Sequence, residues 1–134
     1  MLRLSKKIEY GIIAMRHMAT NSSGEVTTAK EISDRYDLPH ELLAKVLQRL
    51  AKKGLIISHQ GVYGGYTLAR SASEISLASI ISAIEENIPA IIQCVAESPE
   101  ACSIWSTCTI KTPLVKIQNG INQMFVKMTL REIV

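Results

Sequence analysis

Thr28 to Ala69 reads TAKEISDRYDLPHELLAKVLQRLAKKGLIISHQGVYGGYTLA, and the order of signals in it decides the fold. Thr28-Ala-Lys-Glu31 has the form of a capping box, hydroxyl and carboxylate satisfying each other's terminal amides, which predicts a short helix to about Tyr36. Asp37-Leu38-Pro39 makes a turn, with Pro39 suited to an early helical position, and the next helix extends to about Lys53. Gly54 is its C-cap, in a left-handed conformation that a side chain resists. Leu55 to His59 and Tyr66 to Ala69 are short β-prone runs flanking Gln60-Gly-Val-Tyr-Gly-Gly65, which predicts a hairpin.

Upstream, Ile8, Ile12, Ile13, Met15 and Met18 recur near helical spacing, with Ser5 placed to cap and Asn21-Ser-Ser-Gly24 to break the helix. Downstream, Ile75, Leu77, Ile80, Ile81 and Ile84 carry a helix from Ile75 to about Asn87, and Ile88 to Thr112 reads as an irregular loop. Thr112-Pro113 is expected to open the last long helix. In that helix Leu114, Ile117, Ile121, Met124 and Met128 are spaced three, four, three and four, a heptad seam to which Phe125 adds an aromatic ring. Such a stripe needs a partner, either the protein's own core or the same helix of a second subunit; in so small a domain the second is favoured. Thr129-Leu-Arg-Glu132 has the form of a second capping box.

A chain of 134 residues has room for one compact core, and 47% hydrophobic against 20% charged residues excludes disorder as the main description. With aromatics at 4%, that core must be aliphatic, which favours helices. Apolar runs such as Ile80 to Ile84 are far shorter than the roughly 20 residues of a bilayer span. The start, Met-Leu-Arg-Leu-Ser-Lys-Lys, lacks the order of a secretory signal, so a cytoplasmic protein with no membrane partner is expected. Charge is unevenly placed: residues 1–70 carry eleven Lys or Arg against six Asp or Glu, whereas residues 71–134 carry four against six. The first half is the candidate polyanion binder, although a basic face without a ligand gives the same count.

Three helices followed by a hairpin is the order of a winged helix-turn-helix, whose third helix enters the major groove of double-stranded DNA while the hairpin touches neighbouring backbone or minor groove. Burying Leu42, Leu43, Val46, Leu47 and Leu50 leaves His40, Glu41, Ala44, Lys45, Gln48, Arg49 and Lys52 on the outer face. Gln48 can read adenine, and Lys45 guanine or phosphate, with His40 and Glu41 at the helix start nearest the bases. Thr27, Thr28 and Lys30 are candidate phosphate contacts that set register, and His59, Gln60 and Tyr63 are candidate contacts from the hairpin.

Cys94, Cys102 and Cys108 form C-x7-C-x5-C in the segment with the weakest secondary-structure signals. An odd number of cysteines in one short stretch cannot pair fully into disulfides. Thiolates so spaced can converge on zinc or an iron-sulfur cluster; three reduced thiols, or a thiol-disulfide switch without metal, are the alternatives. No nucleotide fingerprint or catalytic dyad accompanies them, so an enzyme is not expected.

Leu4-Ser-Lys-Lys-Ile-Glu-Tyr-Gly, the block Leu47 to Leu55, the Gly61 to Ala69 hairpin, the Ile75-Ser-Leu helix start and the cysteine cluster together resemble the Rrf family of bacterial transcription regulators over nearly the whole chain. Within it they look most like the branch regulating SUF-type iron-sulfur assembly genes. The resemblance implies a homodimer of winged helix-turn-helix domains joined by a long dimerisation helix. It further implies an iron-sulfur cluster, 2Fe-2S or 4Fe-4S, on Cys94, Cys102 and Cys108. An acidic residue of helix one, reaching from the other subunit, is a further ligand in some members, and the matching position is Glu9. The histidine that some members carry soon after the third cysteine is absent, Thr109, Ile110 and Lys111 standing there. Gln60 replaces the arginine common before the first hairpin glycine, which reduces the electrostatic pull of the wing on a minor groove.

The expected protein is therefore mainly α with a small β-hairpin. Residues 1–72 form the DNA-binding domain, and residues 73–134 the cysteine-loop, cluster-binding and dimerisation region. It is a regulator whose operator affinity an iron-sulfur cluster controls, or alternatively one that responds to thiol oxidation without metal.

Overall fold

A computed structural model describes residues 3–21, 25–85, 107 and 109–134. Helix α1 (Lys6–Thr20) starts where the Ser5 hydroxyl accepts the Ile8 amide, and α2 (Ala29–Tyr36) where Thr28 Oγ1 accepts the Glu31 amide at 3.0 Å. Only the Thr28 half of the expected capping box forms, because the Glu31 carboxylate faces the ring of His17 instead. Helix α3 (His40–Lys52) follows a left-handed Asp37 and begins just after Pro39, which occupies the cap position. Gly54, at φ +78°, ends that helix, and the Leu55 amide reaches back to the Leu50 carbonyl at 3.1 Å, as a glycine C-cap requires.

Strands β1 (Ile56–His59) and β2 (Gly65–Leu68) pair antiparallel, Ile56 with Leu68 and His59 with Gly65. The outer side of β2 is bridged in turn by Thr27, whose amide and carbonyl bond Tyr66 at 2.9 and 2.7 Å. A side chain at Gly65 would sit 2.8 Å from the Thr27 carbonyl, so glycine permits this approach of wing to α2.

After a 3-10 turn (Ala72–Glu74), α4 (Leu77–Ile84) begins on the Ser76 cap, whose hydroxyl accepts the Ser79 amide. The helix is shorter than its periodicity suggests. Ile75 lies outside it and pairs through its carbonyl with the Leu130 amide at 2.8 Å, while the Leu77 amide bonds the Met128 carbonyl. Helix α5 (Lys111–Lys127) starts two residues ahead of the expectation, its cap at Ile110 instead of Thr112 and with no side-chain bond, and places Pro113 in its first turn. The second capping box forms in full at the closing 3-10 turn (Leu130–Ile133), the Thr129 amide reaching Glu132 Oε2 at 2.6 Å.

Ile8, Met15, Ile32, Leu43, Leu47, Leu50, Ile56, Ile75, Ile80, Ile81, Ile84 and Leu130 are fully buried in one continuous cluster. Arg16 Nε adds a bond at 2.9 Å to the Ile133 carbonyl, so the last residues are fastened to α1. Among the described residues, no helix is long and apolar enough to cross a membrane.

Candidate nucleic-acid interface and cysteine segment

The third helix separates its two faces cleanly. Leu43, Val46, Leu47 and Leu50 are buried, at the three- and four-residue steps that keep side chains on one side of a helix. Leu42, expected with them, is only half-buried and lies beside Lys7, Lys45, Val46 and Arg49, because its position is a hundred degrees of rotation away from Leu43. His40, Glu41, Lys45, Gln48, Arg49 and Lys52 are exposed. Among the described residues none of Lys45, Arg49 and Lys52 has a carboxylate within ion-pair distance, so their charge is uncompensated along one ridge. Lys45, Gln48, Arg49 and Lys52 share a shallow groove on that ridge.

The wing contributes a different chemistry. Val62 and Tyr63 are 96% and 90% exposed at its tip, an arrangement that leaves apolar area and one hydroxyl free for a partner. His59 bonds Thr67 Oγ1 across the hairpin at 2.8 Å, and Gln60 is exposed at the start of the loop. Tyr63 and the exposed Gln60 are legible as candidates in the sequence, whereas Val62 carries no polar signal there.

Thr28 and Lys30 are exposed at the start of α2. Thr27 is not a phosphate contact. It is fully buried, its amide and carbonyl are committed to Tyr66, and its hydroxyl receives the Asn21 side-chain amide at 2.6 Å. Its role is to dock the wing. Arg49 is also partly committed, since Nη1 donates to the Ile84 carbonyl at 2.7 Å. A second buried polar group went unread in the sequence: His17, 5% exposed, bonds the Tyr36 hydroxyl through Nδ1 at 2.9 Å and stacks edge-on against that ring.

The heptad seam of α5 divides. Phe125 and Met128 pack against the chain's own core, Leu114 and Ile121 are half-buried, and Ile117 and Met124 stand 52% and 53% exposed. Ile110, Ile117 and Met124 lie seven residues apart, so these exposed side chains form one line along the helix. The side of α5 that carries Phe125 and Met128 is the one packed against the chain's own core.

Cys94, Cys102 and Cys108 lie outside the described residues. Glu9 sits half-buried on α1, its carboxylate paired with the exposed Lys6 ammonium at 3.0 Å. An exposed pair of this kind is worth about 0.2–1 kcal/mol, so the carboxylate is available to another cation at small cost. Among the described residues no three His, Cys, Asp or Glu side chains come together. The donor set fits an iron-sulfur cluster by its chemistry, with three thiols as the soft ligands such clusters use and a carboxylate as an oxygen ligand.

Comparison with known proteins agrees with this architecture. The Rrf2 pattern, described as an iron-dependent transcriptional regulator, matches residues 4–134. The HTH-type transcriptional regulator IscR of Pectobacterium carotovorum is 32% identical over 133 residues, covering 99% of this chain and 79% of that protein. Among solved structures, CymR, the global cysteine regulator of B. subtilis, superposes with a TM-score of 0.77 at 26% identity, covering 99% of this chain and 96% of CymR. IscR of T. potens superposes with a TM-score of 0.71 at 26% identity, over 98% of this chain and 85% of that one.

Proposed function

The chain belongs to the Rrf2 family of DNA-binding transcription regulators, and from that premise we propose that an iron-sulfur cluster held by Cys94, Cys102 and Cys108 controls its affinity for operator DNA. The protein acts as a homodimer joined along α5. Its two α3 helices read successive major grooves through Lys45 and Gln48, with Thr28 and Lys30 on phosphates and the wing residues His59, Gln60 and Tyr63 on the flanking groove. Glu9 of the partner subunit supplies an oxygen ligand. Iron-sulfur assembly genes of the SUF type are the proposed targets, which makes the bound group a measure of the supply those genes control.

The observation that carries the reading is the pairing of an uncompensated cationic ridge on α3 with a cluster of three thiols in the same short chain. The ridge fits a polyanion, and the thiols fit iron and sulfide. When bound, the cluster supplies sensitivity to iron and oxidants; the protein's own residues hold it and present the groove-reading face.

Anaerobic purification followed by iron and sulfide quantification tests the reading. Brown protein containing both, with an operator affinity that changes when the cluster is removed, is expected. Colourless protein that takes up neither on reconstitution, and whose DNA affinity follows thiol oxidation, establishes the metal-free switch instead. That second reading draws support from the likeness to CymR.

A further inference from the structure

Helix α4 reads Leu-Ala-Ser-Ile-Ile-Ser-Ala-Ile and has no charged side chain of its own. The last four carbonyls of any helix lack intrahelical donors, and their negative end favours a cation. Here the cation comes from another helix: Arg49 of α3 donates from Nη1 to the Ile84 carbonyl at 2.7 Å. The side chain of the same Ile84 is 2% exposed and fills a notch at Gly11 of α1. A β-carbon on Gly11 would collide with Ile84 Cδ1 and lie 3.3 Å from Val46 Cγ1 of α3. One residue, the last of α4, is therefore gripped by backbone bond and by packing, from two helices of the DNA-binding unit.

We propose that Arg49 and Gly11 are positioning residues that lock the end of α4 to the recognition helix, so that any displacement of Ile84 is carried to the groove-reading face. The inference rests on the functional reading above for the origin of the displacement, since Cys94 follows Ile84 by ten residues in the chain. Arg49, read from the sequence as an outer-face residue of the DNA-reading helix, is thereby an indirect contributor to DNA binding. Its guanidinium is committed to a carbonyl on the opposite side of a cleft lined by Lys52, Lys53 and Glu85, and it acts on DNA through the angle between α3 and α4.

The test uses the full-length protein with two substitutions that fail in different ways. Arg49→Gln removes the bond. Gly11→Ala pushes Ile84 out of its notch without touching any DNA-facing group; the clash is with the far end of a flexible side chain, and alanine favours the helix, so folding is retained. Operator affinity is measured for cluster-loaded and cluster-free protein. A wild-type ratio of about 5 to 150 is the ordinary span for coupled sites, and in both variants it should fall to about twofold or less. Amide exchange over Ile80 to Ile84 in metal-free protein gives a readout independent of the cluster. Operator DNA should slow it in wild type and leave it unchanged in Arg49→Gln, because coupling is reciprocal.

If Arg49→Gln weakens both forms equally, keeps the wild-type ratio and lowers the salt slope by about one, Arg49 is a phosphate contact and the lock is overturned. If loaded and cluster-free wild type bind DNA alike while exchange over Ile80 to Ile84 still responds to DNA through Arg49, the cluster reading fails and the lock stands. Absence of both responses removes both.

Discussion

Helices α3 and α5 each present an exposed face, and the two faces are opposite in kind. In α3 the apolar stripe of Leu43, Val46, Leu47 and Leu50 is buried in its own chain, and what remains outside is polar and cationic. In α5 the chain's own core takes Phe125 and Met128, and Ile110, Ile117 and Met124 remain outside. The first helix has completed its packing and lacks only a polyanion. The second lacks apolar surface to cover it. A protein surface that leaves a line of large aliphatic side chains in water is costly, whereas a cationic ridge in water is not.

The difference can be broken at its strongest point first. Leu47→Ala should lower the stability of the chain by about 2–5 kcal/mol, read as a shift of the urea midpoint with an unchanged slope. That loss should be the same at every protein concentration, because the residue's partners all belong to its own chain. Ile117→Glu together with Met124→Glu should behave otherwise. An unpaired charge in an apolar interface costs several kcal/mol, so the dimer should weaken by about two orders of magnitude or more in sedimentation velocity, with the fold of each subunit retained. An unchanged sedimentation coefficient in that double variant removes α5 as the dimer contact.

On the cationic face the effects are smaller and differ between neighbours. Gln48→Ala should cost about 1–3 kcal/mol at one base pair and relax preference there, measured against single-base operator variants. Lys45→Ala should weaken binding to all sequences alike and reduce the slope of log affinity against log salt by about one. If both change affinity without changing specificity, the ridge only holds backbone. Thr28→Ala, which removes the α2 cap, should cost about 1 kcal/mol of stability. A loss of operator affinity larger than this destabilisation explains assigns the hydroxyl to phosphate as well.

Much of this organisation was legible in the chain because its signals are local. Ser5 with Ile8, Thr28 with Glu31, Gly54 with Ala51 and Thr129 with Glu132 each act over three residues, and each forms a bond where the pattern placed it. The family resemblance extended that reading to DNA binding, which the matched family supports. Errors arose where a residue answers to a distant partner. Ile75 has the periodicity of a helix yet pairs with Leu130, and Thr27 reads as an exposed helix-start threonine yet is buried under Tyr66. Neither partner is visible within a turn of the residue itself.

From sequence alone came the helical content, the hairpin, the caps, the cationic face and the supply of thiols, since periodicity, side-chain chemistry and short-range hydrogen bonds are properties of neighbouring residues. Tertiary structure decided how those parts are shared out. It gave Phe125 and Met128 to the core and left Ile117 and Met124 in water, and it spent Thr27 on the wing and Arg49 on the carbonyl of Ile84. Those assignments depend on which surfaces meet across tens of residues of chain, and a buried group bonds whatever donor or acceptor the packing brings to it.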